Sequence, residues 1–353
     1  MKIAVDCRFL GKSGIGSYIE GVLDILLKAN NHYYLLIGNL KILEKYSLYS
    51  KCEVLECNII PYSIAEQFRF PTKEVNKCDA FFSPNWNVPR GIHIPKYLTI
   101  HDVIFLDERG LTSTFGYYIR KMFLWHAVKS AKSIFTVSNF SKERIRHYFH
   151  VDNVFVTYSS VSEDIHKIPL KGNRKKGNYF LYVGNIKRHK GLRILLEGFN
   201  LAVNQGLNKK LIIVGEADNF KSSEDNLANM FTSDQIQFTG YVPNEKLYDY
   251  IMRADALVLP SRYEGFGLPP LEALYLGTDV ILSDIPVLKE IYSNYPVTFF
   301  QCDDSSDLCN VIKSFKNSNF NIEDVRKMID SQYSFINIAN IIISAIEESN
   351  QID

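Results

Sequence analysis

Residues 256–277 read ALVLPSRYEGFGLPPLEALYLG. ALVLP is an apolar run of strand length. It ends in a loop holding Gly265 and Gly267, after which Pro269 and Pro270 suit the first turn of a helix, where a missing N–H costs little. The stretch is therefore a strand, a glycine loop and a helix start. Backbone amides of Gly265, Phe266, Gly267 and Leu268 would gather at the positive end of that helix, a seat for a diphosphate. Glu264 lies in the loop, and Glu272 about a turn inside the helix. Carboxylates touching a phosphate would repel it, so these two are better suited to accepting hydrogen bonds from hydroxyls, a ribose on one and a hexose on the other.

The same alternation extends outward in both directions. YFLYVG, KLIIVG, IQFTG and DVILSD read as further strands of the second half, separated by helices such as LRILLEGFNLAV and NEKLYDYIMRA. In the first half KIAVD, YYLLIG, AFFSP, YLTIHD and SIFTVS play that part, with SYIEGVLDILLKA as a helix. Strands alternating with helices predict an α/β fold with parallel sheets covered on both faces. The expected organisation is two Rossmann-like domains facing across a central cleft. A first domain spans 1–165, a linker 166–178 (HKIPLKGNRKKGN), a second domain 179–325, and a closing helix 326–353 packs back toward the first domain.

Composition bounds the function. A chain of 353 residues suits two domains. Net charge is +4 over 1–165, +5 over 166–178 and −8 over 179–353, leaving +1 overall. A dedicated nucleic-acid binder would carry a broad basic excess, so nucleic acid is not an expected partner. The longest apolar stretch, Phe335 to Ile346, is too short to span a membrane and holds Asn337, Asn340 and Ser344. The start, MKIAVDCRF, lacks the apolar core of a signal peptide. Six cysteines without a CxxC pair read as reduced thiols, and a cytoplasmic location is expected.

The turn GKSGIG follows the first strand. It imitates a P-loop, but Asp6 occupies the position of the earlier glycine, and the periodic helix begins after Gly16. A dinucleotide fingerprint fails at Ile19. What remains is either a plain flexible turn or a glycine-rich loop, with Gly14 and Gly16, that lets the backbone approach an anion. His101 and Asp102 stand at the carboxyl end of YLTI, where open α/β sheets place ligands. The stretch 116–133, GYYIRKMFLWHAVKSAKS, mixes aromatics with Arg120, Lys121, Lys129 and Lys132. It is either a core-facing amphipathic helix with solvated cations or a helix that rests on anionic headgroups.

EGFGLPPLEA resembles the E-x7-E element of retaining glycosyltransferases with the GT-B fold, of the large bacterial family four. The resemblance also takes in IAVDCRFLGKSGIGSYIEGVL, TIHDV, TVSNFSKERI, YFLYVGNIKRHKGLRILLEGF and IQFTGYVPNEKLYDYIMRADALVLPS, almost the whole chain. It implies that Glu272 holds the nucleotide ribose and Glu264 contacts hydroxyls of the transferred sugar. The backbone from Gly265 through Phe266 and Gly267 to Leu268 would cradle diphosphate and sugar. Lys190 would neutralise the leaving diphosphate, and His101 would face the donor sugar. Asp102 would touch acceptor or orient loops, and Gly14 and Gly16 would close on the donor phosphates. Relatives with a second phosphate cation carry arginine where this chain has Asn185, so Lys187, Arg188 or His189 would replace it.

The implied reaction is transfer of a hexose or deoxyhexose from a nucleotide diphosphate sugar to a growing surface polysaccharide, with a glycan or lipid-linked glycan as acceptor partner. GDP-mannose is the first expectation for the donor, ahead of UDP-, dTDP- and GDP-fucose donors. The donor is a substrate, and no cofactor is expected. No Asp-x-Asp occurs in the chain, so no metal is expected either. Domain closure would exclude water from the donor. A phosphorylase, a sugar-nucleotide epimerase or a non-catalytic sugar-nucleotide-binding protein on the same fold are the alternatives, separable by product analysis.

Overall fold

A computed structural model describes the chain except for residues 12, 30, 109–112, 170–175, 216–233 and 351–353. It divides into two compact units. The first joins Met1–Ser160 to Tyr333–Asp353, and the second is Val161–Gln332.

The first unit is built on seven strands: β1 Lys2–Asp6, β2 Tyr33–Gly38, β3 Cys52–Glu56, β4 Ala80–Ser83, β5 Lys96–Ile100, β6 Ser133–Thr136 and β7 Val154–Val156. They pair in the order β3-β2-β1-β4-β5-β6-β7, every pair parallel. The second unit holds β8 Tyr179–Val183, β9 Lys210–Val214, β10 Ile236–Gly240, β11 Ala256–Leu259, β12 Asp279–Ser283 and β13 Val297–Phe300. Their order is β10-β9-β8-β11-β12-β13, again all parallel. Central strands such as Ala80–Ser83 and Ala256–Leu259 are buried along their whole length, as strands covered on both faces must be. The α/β class with two parallel sheets stands as expected from the sequence. Three strands are additions to that reading: β3, β7 and β13. All three are edge strands: β3 (CEVLE) carries two glutamates, β7 (VFV) is only three residues long, and β13 (VTFF) is broken by a threonine.

The structure moves the expected boundaries. Residues flanking the basic stretch pack within the second unit: Ser162 Oγ is 3.2 Å from Tyr248 Oη, His166 Nδ1 is 2.7 Å from Tyr275 Oη, and Lys176 Nζ donates to the Ala254 carbonyl at 2.8 Å. Lys176 thus satisfies a carbonyl just beyond the helix Asn244–Arg253, next to the Arg253 carbonyl, which accepts the Gly177 N–H at 2.8 Å. The expected linker at 166–178 is to that extent part of a folded unit; its residues 170–175 lie outside the described residues. The expected closing helix at 326–353 is two pieces. Ile322–Gln332 belongs to the second unit, and Phe335–Asn350 to the first. There it packs on the helix Ser13–Ala29, where Gly21 leaves room for the Phe335 ring: a Cβ at that glycine would stand 2.3 Å from it.

Candidate active site

β8 and β11 are neighbours, yet the chain leaves them toward opposite sides of the sheet. Open α/β sheets bind ligands outside the carboxyl ends of two such strands. The segment after β8 carries the one-turn helix Arg188–Lys190, and that after β11 carries Ser261 and Glu264. Gly191 brings the two together. Its φ is +67°, and a Cβ there would meet the Pro260 carbonyl oxygen at 1.9 Å, so only glycine fits. The backbones are also tied directly, Arg262 N–H donating to the His189 carbonyl at 2.8 Å.

The consequence is a charge pair. Lys190 Nζ donates to Glu264 Oε1 and Oε2, each at 2.8 Å. Ser261 Oγ donates to Glu264 Oε1 at 2.7 Å. The carboxylate is 8% exposed and the lysine 25%, so the ammonium keeps one side toward solvent while its partner is fixed. His189 is buried behind the pair. Burial, with Lys190 beside it, pushes its imidazole down to about 4. It is therefore neutral near pH 7 and is no phosphate cation there. Lys187 and Arg188 are both exposed.

The helix Leu268–Tyr275 starts directly after this loop. Its N-cap is Gly267 at φ +87°, where a Cβ would press on Leu288 Cδ2 at 2.8 Å. Its first turn has no acidic side chain and includes the two prolines. Gly265, Phe266, Gly267 and Leu268 supply the backbone N–H groups ahead of Pro269 and Pro270, which have none. The Tyr292 hydroxyl donates to the Gly267 carbonyl and pins the cap. Glu272 follows one turn later. It is half-buried, and burial pushes its carboxyl up to about 8. No hydrogen bond or ion pair to it forms among the described residues, which leaves its oxygens to solvent or a ligand.

His101, Asp102, Gly14 and Gly16 belong to the first unit. His101 follows β5. Its Nε2 donates to the Pro84 carbonyl at 3.0 Å, and the Tyr18 ring meets it edge-on at 5.0 Å. Burial holds its pKa below the ordinary value, so the ring is neutral with Nδ1 left as an acceptor. Asp102 Oδ1 accepts the Ile104 N–H at 3.1 Å. The glycine-rich loop needs correction. The helix begins at Ser13, so Gly14 and Gly16 are helical residues. Gly16 serves packing: a Cβ there would strike the Phe9 carbonyl oxygen at 2.7 Å, while one at Gly14 meets nothing within 4 Å.

Sequence reasoning missed Ser261 and Gly191. The signals were a hydroxyl three residues before the glutamate and a glycine directly after the lysine.

Comparison with known proteins now decides the family of this site. Residues 161–334 match the family model "Glycosyl transferases group 1". The second unit is a group 1 glycosyltransferase domain. The chain is homologous to "O-antigen chain mannosyltransferase RfbU" of Salmonella typhimurium, 28% identical over 71% of this chain and 69% of that protein. It is 33% identical to the "GDP-mannose:cellobiosyl-diphosphopolyprenol alpha-mannosyltransferase" of Xanthomonas campestris, over 35% of this chain and 33% of that one. Among solved structures, sucrose-phosphate synthase from Thermosynechococcus elongatus superposes with a TM-score of 0.75 at 15% identity, covering 100% of both chains. That likeness shows the GT-B fold. The glycosyltransferase domain begins just before β8 and contains Lys190, Glu264 and Glu272.

Proposed function

We propose that this chain transfers mannose from GDP-mannose to a growing, lipid-linked surface polysaccharide, with retention of anomeric configuration and without a metal. The observation that carries the reading is the Lys190–Glu264 pair at the start of the helix Leu268–Tyr275. The relatives that act on mannose support the sugar, and the Xanthomonas relative supports GDP and a polyprenol-linked acceptor.

A nucleotide sugar already carries a good leaving group, so the task is to stabilise charge building on the departing diphosphate and to aim a hydroxyl at the anomeric carbon. Lys190 and the amides of Gly265 to Leu268 do the first. Glu264 orients the sugar by its hydroxyls, and Glu272 takes the ribose. Same-face attack, assisted by the leaving phosphate, gives retention. The ammonium and the helix start take the part a metal plays in other transferases.

We place the reaction at the inner face of the cytoplasmic membrane. Among the described residues no helix is long and apolar enough to cross a membrane. The helix Thr114–Ser130 instead exposes Phe115, Tyr118, Met122 and Trp125 by 77, 63, 53 and 52%, with Lys129 on the same side. These four recur at helical spacing on one face, which suits partial burial in anionic headgroups.

A thermal-shift panel of nucleoside diphosphates tests the donor. The right one at a hundred times its dissociation constant stabilises by ~2.7 kcal/mol. Radiolabelled GDP-mannose should then label a polyprenyl-diphosphate-linked glycan, with an α-linkage by NMR. A panel in which no nucleotide raises the melting temperature rejects the reading.

A further inference from the structure

The first sheet has its own point of reversal, between β1 and β4. Three aromatic side chains converge there. Phe9 follows β1, Trp86 follows β4, and Tyr62 arrives on the segment after β3. The Tyr62 and Trp86 ring centroids lie 4.6 Å apart with planes 33° from parallel, and Phe9 is 5.8 Å from Tyr62. Tyr62 is 48% exposed and Trp86 half-buried, so the pair lies at the surface.

An unusual foundation holds that face in place. Arg8 is buried between two carboxylates. Its Nε and Nη2 donate to Asp6 at 2.8 and 2.6 Å, and Nη2 also donates to Glu66 Oε1. Asn87 Nδ2 donates to Glu66 Oε1 at 2.7 Å. The other Glu66 oxygen, Oε2, accepts the backbone N–H of Tyr62 at 2.8 Å. That tyrosine has φ +65°, a conformation that a bulky residue adopts only when its surroundings impose it. At its far end the Tyr62 hydroxyl accepts from Asn85 Nδ2. Two carboxylates and one guanidinium buried together are costly. Here they fix a half-exposed ring at its backbone while an amide fixes its hydroxyl. A ring that merely filled core would need neither constraint.

The platform has a polar border. Asn85 sits at the Tyr62 hydroxyl, His101 reaches the Pro84 carbonyl one residue before Asn85, and the Asp102 charge acts on the Tyr62 phenol. Aromatic faces with a few fixed polar groups at their edge match a sugar ring, whose C–H face packs on the aromatic while its hydroxyls meet carboxylate and amide.

We propose that Tyr62 and Trp86 form the stacking platform for the terminal sugar of the acceptor glycan. Arg8 and Glu66 are positioning residues that act through Tyr62. The inference rests on the glycosyl-transfer reading above and deepens it by giving the acceptor sugar a site.

The chain has two tryptophans, Trp86 and Trp125, so a Trp125→Phe background leaves Trp86 as the sole indole emitter. Titration with the methyl α-glycosides of mannose, glucose, galactose and N-acetylglucosamine should give a saturable change in emission with at least one of them. Tyr62→Phe retains that response, and Tyr62→Leu weakens it by about tenfold or more. Glu66→Gln weakens it although both rings are still present, because the Tyr62 backbone is no longer held. No saturable response to any of these glycosides, or an unchanged dissociation constant in Tyr62→Leu with a native melting transition, overturns the platform. If Tyr62→Leu does not fold, equal affinities in the Glu66→Gln and parent proteins overturn it instead. The GDP-mannose thermal shift is measured on the same proteins. Its absence from the parent would reject the donor reading and leave the glycoside titration standing on its own.

Discussion

Lys190 Nζ stands 2.8 Å from each oxygen of the Glu264 carboxylate, across a sequence separation of 74 residues. The two groups assigned to either side of the bond that breaks, leaving diphosphate and transferred sugar, are thus one hydrogen-bonded unit in the free protein. A donor must share or displace that lysine, which couples sugar recognition to leaving-group stabilisation.

Lys190→Ala should therefore do more harm than Glu264→Ala. It removes the transition-state cation and strands a carboxylate that is 8% exposed. We expect kcat to fall about 100-fold or more in Lys190→Ala. In Glu264→Ala the loss should match one charge-assisted hydrogen bond, ~1.5–3 kcal/mol. Because the residues touch, the double variant should lose less than the sum. Steady-state kinetics with radiolabelled donor decides this; strictly additive losses would contradict a coupled pair.

Glu272 gives a pH signature. Burial raises its carboxyl from 4.5 to about 8, so between those values the folded state keeps a proton that the unfolded chain releases. Stability on this account falls as pH rises through that window. Glu272→Gln cannot titrate, so its melting temperature should fall less between pH 5 and 8 than that of the parent. Scanning fluorimetry across that range should show the two curves diverging; parallel curves would reject the raised value. Glu272→Ala should also weaken nucleotide binding by ~1.5–3 kcal/mol.

Gly191→Ala should lower both stability and turnover. The substitution adds a Cβ 1.9 Å from the Pro260 carbonyl oxygen at a residue with φ +67°. Gly206→Ala is the matched control, with φ +93° and nothing within 4 Å of the added carbon. Left-handed backbone alone costs on the order of 1–3 kcal/mol. We expect Gly206→Ala to show only a stability loss of that kind, and Gly191→Ala to lose more and to lose kcat as well. Equal melting temperatures for the two variants would mean that the approach of these loops does not position Lys190.

Vesicle flotation tests the exposed face of Thr114–Ser130. The chain should float with phosphatidylcholine vesicles containing phosphatidylglycerol and not with phosphatidylcholine alone. Met122→Ser with Trp125→Ser should reduce flotation markedly, because each removes a large exposed apolar group. No binding in either composition ends the peripheral-membrane reading.

The chain's local chemistry settled much in advance. An apolar run of strand length, a glycine loop and two prolines can only be laid down as a strand, a turn and a helix start, so residues 256–277 announced the βα unit and the placement of Glu264 and Glu272. The buried inner strands were equally legible, because burial on both faces demands continuous apolar residues. Edge strands β3, β7 and β13 were not, since half-buried strands do not require such runs. The helix start at Ser13 was obscured by Gly14 and Gly16. Glycine disfavours a helix locally, and only the close Phe9 backbone gives Gly16 its reason. Tertiary structure alone decided the rest: that Lys190 reaches Glu264, that Gly191 must be glycine, that burial raises the Glu272 carboxyl, and that Glu66 holds the Tyr62 backbone beside Trp86. Each depends on atoms brought together across tens of residues of chain, where distance and desolvation set the energy and sequence spacing carries no record of either.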